Sequence, residues 1–206
     1  MSQRGICPRL EVLCPVVSRP SDCISPYGRS CPGPVRGHSR HDKNGLRTLT
    51  DITYTVRAAG VGDHGELAQP ILSCGLFSAE EAEGFLAQLP ELLSDPGQIW
   101  LRLDAGDTIA GAAYMSRDGL SEDVWNLWFI GLDPTHQGQG GGQMLLQAVE
   151  AEAVSAGARL LLIETSSDPD QAPARRFYTA AGYRHEATIR DYYAPDTHKT
   201  VYLKAL

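Results

Sequence analysis

The chain has 206 residues, 42% hydrophobic and 21% charged, which fits one globular domain or one domain with a tail. No stretch approaches 18 consecutive apolar residues and no secretory-type apolar core opens the chain, so a transmembrane helix is ruled out, and no membrane partner and a cytoplasmic location are expected. A net charge of −7 argues against a nucleic-acid binder held by bulk electrostatics.

Residues 1–50 hold 8 Lys/Arg against 3 Asp/Glu, a balance of +5, whereas residues 51–206 carry −12. Cys7, Cys14, Cys23 and Cys31 also fall in the first segment, beside many Pro, Gly, Ser and Arg residues. Their gaps are unlike the paired short spacings of zinc sites. So little apolar surface cannot offset the entropy of ordering, and a disordered basic tail is expected over 1–50, followed by a folded domain over 51–206.

Ile52 to Arg57 is a β-branched alternating run and reads as a strand. A short polar helix is expected over Asp63 to Leu72, limited by Pro70. Ser78 followed by Glu81 makes a capping box for a second helix, whose Ala82, Phe85, Leu86 and Leu89 fall on one face. Ile99–Leu103 and Thr108–Met115 read as a hairpin around Asp104-Ala105-Gly106-Asp107. Val124 to Leu132 is apolar on both faces apart from Asn126, as in a central strand covered on each side. A glycine-rich turn then opens a helix over Gly142 to Ala156, with Gly157 as its left-handed stop. Ala158–Thr165 is a buried strand, Pro173–Ala181 a helix ended by Gly182, and Tyr183–Arg190 and Thr200–Leu206 close the chain as strands.

The chemistry concentrates where the strand ending at Leu132 turns through Asp133-Pro134-Thr135-His136-Gln137-Gly138-Gln139-Gly140-Gly141-Gly142-Gln143 into a helix. Glycines let backbone N–H groups approach a ligand, and a helix N-terminus favours negative charge, so this turn suits phosphate oxygens. It is not a Walker loop, since no Gly-Lys-Ser/Thr follows, nor a Rossmann G-x-G-x-x-G, since Gln143 stands three residues after Gly140.

The turn resembles the acyl-CoA loop of the GNAT superfamily of N-acetyltransferases, Gln/Arg-x-x-Gly-x-Gly/Ala, with Gln137, Gly140 and Gly142 in register. Ala174-Arg175-Arg176-Phe177-Tyr178-Thr179-Ala180-Ala181-Gly182-Tyr183 is similar to the family's A-x-x-F-Y-x-x-x-G-F/Y. The resemblance spans residues 52–206. It implies an α/β (α+β) fold with a mixed, mostly antiparallel central sheet, helices on both faces and the order β-α-α-β-β-β-α-β-α-β-β.

It also implies an acetyl-CoA-dependent N-acetyltransferase acting by direct attack of a primary amine in a ternary complex. Ile130, Gly131 and Leu132 would hold the pantetheine arm, and Gln137, Gly138, Gln139, Gly140, Gly141, Gly142 and Gln143 the pyrophosphate. Tyr178 would protonate the departing thiolate, as a phenol with an ordinary pKa near 10 can at neutral pH. Glu164 matches a position that often carries the base for the substrate ammonium. Gln171 stands where the family often has Asn, a departure on the cofactor side. The expected cosubstrate is acetyl-CoA without a metal, and the expected acceptor an amine-bearing small molecule or peptide. The acidic core would suit a cationic amine. A non-catalytic acyl-CoA sensor on the same fold, a transferase for another acyl group and a homodimer all stay open.

Overall fold

A computed structural model describes residues 53–206; the tail and the boundary expected near residue 50 lie outside the described residues. Seven strands form one sheet: β1 (Tyr54–Ala58), β2 (Gln98–Ala105), β3 (Thr108–Arg117), β4 (Val124–Leu132), β5 (Leu160–Ser166), β6 (Arg184–Ala194) and β7 (Thr197–Ala205). Their spatial order is β1-β2-β3-β4-β5-β7-β6. Only β4 and β5 run parallel; every other neighbouring pair is antiparallel. This is the mixed, mostly antiparallel sheet implied by the resemblance.

Four helices cover it: α1 (His64–Ser73), α2 (Ala79–Ser94), α3 (Gly141–Ser155) and α4 (Ala172–Ala180). Leu67 and Ile71 of α1 and Phe85, Leu89 and Leu92 of α2 bury against Trp100, Ala112, Tyr114 and Phe129 on one face. Leu145, Leu146, Val149 and Ala153 of α3 and Tyr178 of α4 bury against Leu101, Leu103, Leu127, Leu161 and Ile163 on the other. Each apolar stripe has the three-to-four-residue spacing that turns one side of a helix inward.

The capping box forms as read: Ser78 Oγ accepts from Glu81 N–H at 3.3 Å and Glu81 Oε2 from Ser78 N–H at 2.8 Å. Gly157 and Gly182 stop α3 and α4 with φ of +86° and +88°. Pro70 does not limit α1. It lies inside the helix and is fully buried, and the helix runs on to Ser73. Proline forfeits one backbone bond there, but the burial of Leu67, Pro70 and Ile71 outweighs that loss. The same residues make α1 a core helix rather than a polar one.

The start of α1 is tied to the sheet by charge. Buried Arg102 on β2 donates to Asp63 (2.7 Å) and Glu66 (3.0 Å) and also pairs with Asp104, while Arg57 on β1 reaches the same Asp63 at 2.9 Å. A buried guanidinium is tolerated only when so fully paired. Arg57 first, then the Gly60 N–H, holds Asp63 down at about 2.

Candidate active site: a parted strand pair below a glycine turn

β4 and β5 pair over only four rungs, from Val124↔Leu160 to Leu127↔Ile163. Beyond them the strands part. The cause lies in β4: Tyr114 opposes Phe129 and Met115 opposes Leu127, so Trp128 is an extra residue, a β-bulge. The bulge puts Trp128 and Phe129 on the α1/α2 face together, whereas Leu127 and Ile130 pack on the other side.

The parted segment exposes backbone. Asp133 N–H donates to Ala110 O at 2.8 Å, so Asp133 and, by antiparallel alternation, Gly131 bond across to β3. Ile130 and Leu132 then direct their N–H and C=O groups away from β3, into the opening where β5 no longer pairs. Gln137 Nε2 donates to Leu132 O at 3.2 Å, leaving the N–H groups of Ile130 and Leu132 and the carbonyl of Ile130 facing the opening. Gly131 serves differently from its neighbours. A Cβ on it would come within 3.1 Å of Cys74 Sγ and 2.9 Å of the Phe129 ring, so it is the seat for the α1–α2 link. Cys74 is half-buried there, and burial pushes its thiol up, away from a reactive thiolate.

At the mouth of the opening, Gly140 caps α3 at φ +89° and the first helical bond runs from Met144 N–H to Gly140 O. The amides of Gly141, Gly142 and Gln143 therefore have no partner within the helix and point out of its end. Gly138 also has positive φ, and at both Gly138 and Gly140 the space beside Cα is open. Gly141 is needed for packing instead: a Cβ would lie 2.8 Å from Leu103 Cδ2. Gln139 turns back to Thr135 O, while Gln143 is exposed at the helix start.

Asp133 clamps the base of the turn. Its carboxylate accepts from Thr135 Oγ1 (2.6 Å), Thr135 N–H (2.9 Å) and Ser73 Oγ (2.8 Å), joining the loop to the end of α1. Those bonds, Thr135's first, hold it down at about 2. A folded pKa below the free aspartate value near 4 means that the stabilisation is complete above about pH 4 and lost as pH falls through 2. Acid titrations of the wild type and Asp133→Asn should thus diverge above pH 4 and converge towards pH 2; Asp63 titrates in the same window in both and cancels in the difference.

Tyr178 is buried on α4, its ring 5.6 Å from Phe177, 6.3 Å from Tyr183 and 6.0 Å from Tyr202, on the face of the sheet that α3 covers. Tyr183 and Tyr202 are buried phenols of the same cluster, and the Tyr183 hydroxyl lies deep in it. Burial, then Glu150, holds that hydroxyl protonated, and the Lys204 ammonium sits 5.4 Å from the Tyr183 ring. Gln171 precedes α4 and makes no side-chain cap bond; Asp168 caps the turn before it.

Glu164 is the first β5 residue beyond the last rung. Leu161 and Ile163 face α3 and α4, so alternation sends Glu164 to the opposite face from Tyr178. Lys199 Nζ lies 2.7 Å from Glu164 Oε2, a partner that sequence reading missed. A signal was present. Lys199 has the register of Val201 and Leu203 in β7, a charge at an inward position. Among the described residues, no group of three or more His, Cys, Asp or Glu gathers to hold a metal, and no helix is long and apolar enough to cross a membrane.

The fold has counterparts in known proteins. The family model for the GNAT acetyltransferases matches residues 66–183, more than half of the chain. The chain belongs to the GNAT acetyltransferase family. A GNAT-family protein from Desulfovibrio desulfuricans is 29% identical and aligns over 74% of this chain and 99% of its own, with a TM-score of 0.70. The ribosomal-protein-S18-alanine N-acetyltransferase of Escherichia coli shares the fold at 19% identity and a TM-score of 0.61, over 74% of this chain and 94% of its own. An aminoglycoside 6′-N-acetyltransferase solved with coenzyme A does so at 14% and 0.60, over 73% and 96%. Among curated proteins, none matches this sequence. In this GNAT domain the Gln137–Gly142 segment lies in the turn that opens α3, and Ala174–Tyr183 runs along α4 and just past it.

Proposed function

We propose that this acetyltransferase moves an acetyl group from acetyl-CoA to a primary amine by direct attack in a ternary complex. The observation that carries this reading is the parting of β4 and β5 after Leu127↔Ile163. It makes a passage through the sheet between the face with Tyr178 and the face with Glu164, with the free amides of α3 at its mouth. The CoA-bound state of the aminoglycoside enzyme of the same fold supports it.

The residues fit this cosubstrate. The amides of Gly141, Gly142 and Gln143, with those of the turn from Gln137 to Gly140, suit pyrophosphate oxygens. Ile130 and Leu132 would bond the pantetheine arm as a strand bonds its neighbour, while Gly131, turned to β3, shapes the strand from behind. Gln171 flanks the arm from the start of α4. Bound acetyl-CoA supplies a thioester whose carbonyl carbon takes the amine's lone pair before the C–S bond breaks. Tyr178 donates a proton to the departing sulfur, and Glu164, directly or through water, takes one from the incoming ammonium. Such proton transfers each contribute roughly 10²–10⁴-fold.

Two measurements test this. Saturating CoA at about 100 times its Kd should stabilise the fold by about 2.7 kcal/mol, seen as a raised Tm. Thiol release from acetyl-CoA in the presence of primary amines should then show turnover, and Glu164→Gln should depress it most at low pH, where free amine is scarcest. An unchanged Tm rejects the cosubstrate, and an unchanged pH profile removes Glu164 from proton transfer.

A further inference from the structure

The face on which the acceptor would arrive carries a charge pair that acetyl transfer alone does not require. Lys199 is 6% exposed, and its ammonium lies between the Glu164 carboxylate at 2.7 Å and the Tyr192 ring, 4.4 Å to the centroid. A buried lysine is costly even when paired, and an apolar side chain of similar volume often serves stability as well. The neighbouring register positions Val201 and Leu203 hold apolar residues.

A second observation lies in β4. Asn126 is 2% exposed, and its Oδ1 has no hydrogen-bond partner. Its rung partner is Leu162, two residues before Glu164, and Leu127 and Ile163 on the next rung face α3, so Asn126 and Glu164 share one face. Buried side-chain oxygens are satisfied as a rule, and one left open beside a passage through the sheet points to a donor that arrives with a ligand.

A polycation is a poor occupant, because Lys199 already neutralises Glu164 and repels further positive charge. A molecule bearing both signs is a good one. Its carboxylate can join Lys199 while its ammonium takes Glu164 and the Asn126 Oδ1, so that unlike charges alternate and the open oxygen is filled. We infer that the acceptor is an amino-carboxylate, an amine with a carboxylate within a few bonds of its nitrogen, and that Lys199 selects it. This rests on the acetyl-transfer reading above, and it reverses the preference for a cationic amine that the acidic net charge suggests.

The test is thiol release from acetyl-CoA with three series run in parallel: free α-amino acids, their carboxamides and the decarboxylated amines. The wild type should show kcat/KM at least about tenfold higher for its best amino acid than for the matching carboxamide and amine. Lys199→Met should erase that preference, bringing kcat/KM for the amino acid down to the level of its carboxamide in the same variant, and Lys199→Arg should keep part of it. If the wild type uses the uncharged or decarboxylated series equally well or better, the inference falls while the transferase reading stands. If the preference persists in a folded Lys199→Met, selection lies with other residues and the role of Lys199 is overturned. If CoA binds yet no series is acetylated, this inference falls, and thiol release with larger amines and peptide N-termini decides the transferase reading separately. The wild-type comparison decides the acceptor class even where the methionine variant does not fold.

Discussion

Tyr178→Phe should lower turnover by roughly 10²–10⁴-fold while leaving the fold and CoA affinity almost unchanged. The substitution removes one oxygen from a ring held by Phe177, Tyr183 and Tyr202, so the aromatic packing on α4 persists. What disappears is the proton proposed for the leaving thiolate. Without it, collapse of the tetrahedral intermediate must expel a bare anion beside a buried aromatic cluster. Tyr183 cannot substitute, since burial and Glu150 hold its proton tightly. Steady-state kinetics beside a CoA titration separates the two effects. A variant that binds CoA and turns over at full rate rejects the role, and a wild type that binds CoA without transfer to any amine favours the sensor.

The second large effect is expected at Gly140. Its φ of +89° costs any residue with a Cβ about 1–2 kcal/mol. An aspartate there adds a carboxylate at the end of α3, where the phosphates would sit and where the open space gives it room. Gly140→Asp should weaken CoA binding by at least about tenfold, and more at low ionic strength, where repulsion is less screened. Gly140→Ala carries the strain without the charge, so the difference between the two variants isolates the electrostatic part. Equal CoA affinity in the wild type and Gly140→Asp would remove the turn from the binding site.

Much of this architecture is legible along the chain because it depends on local rules. The capping box at Ser78, the left-handed stops at Gly157 and Gly182, and the apolar run of β4 each follow from a few neighbouring residues. The Gln137–Gly142 and Ala174–Tyr183 segments are equally local, one a turn between a strand and a helix and the other along α4. What escapes is non-local. The bulge at Trp128 hides in a run that is apolar on both faces, where inserting one residue leaves the pattern unchanged. Pro70 breaks a rule of helix propensity that burial overrides. Gly131 lies inside the motif region, yet its missing side chain makes room for Cys74, 57 positions upstream. The Glu164–Lys199 pair joins residues 35 apart through the register of β5 on β7, which no spacing rule anticipates.

The same distinction explains what each part of the site does. The glycine turn supplies general features, amides and room, that suit phosphate in any protein with this loop. The pair on β5 and β7, the open Asn126 oxygen and Tyr192 are features of side chains rather than of backbone, and on the inference above they are where the choice of acceptor would lie.

On the proposed function, the parted strands and the turn above them form one CoA site. Backbone amide NMR signals followed while CoA is titrated in check this residue by residue. The expected result is a saturable shift at Ile130 and Leu132 together with Gly138 to Gln143, with Gly131 and the β2–β3 ladder little moved. Shifts that saturate elsewhere, or that move the turn and leave Ile130 and Leu132 in place, would contradict it.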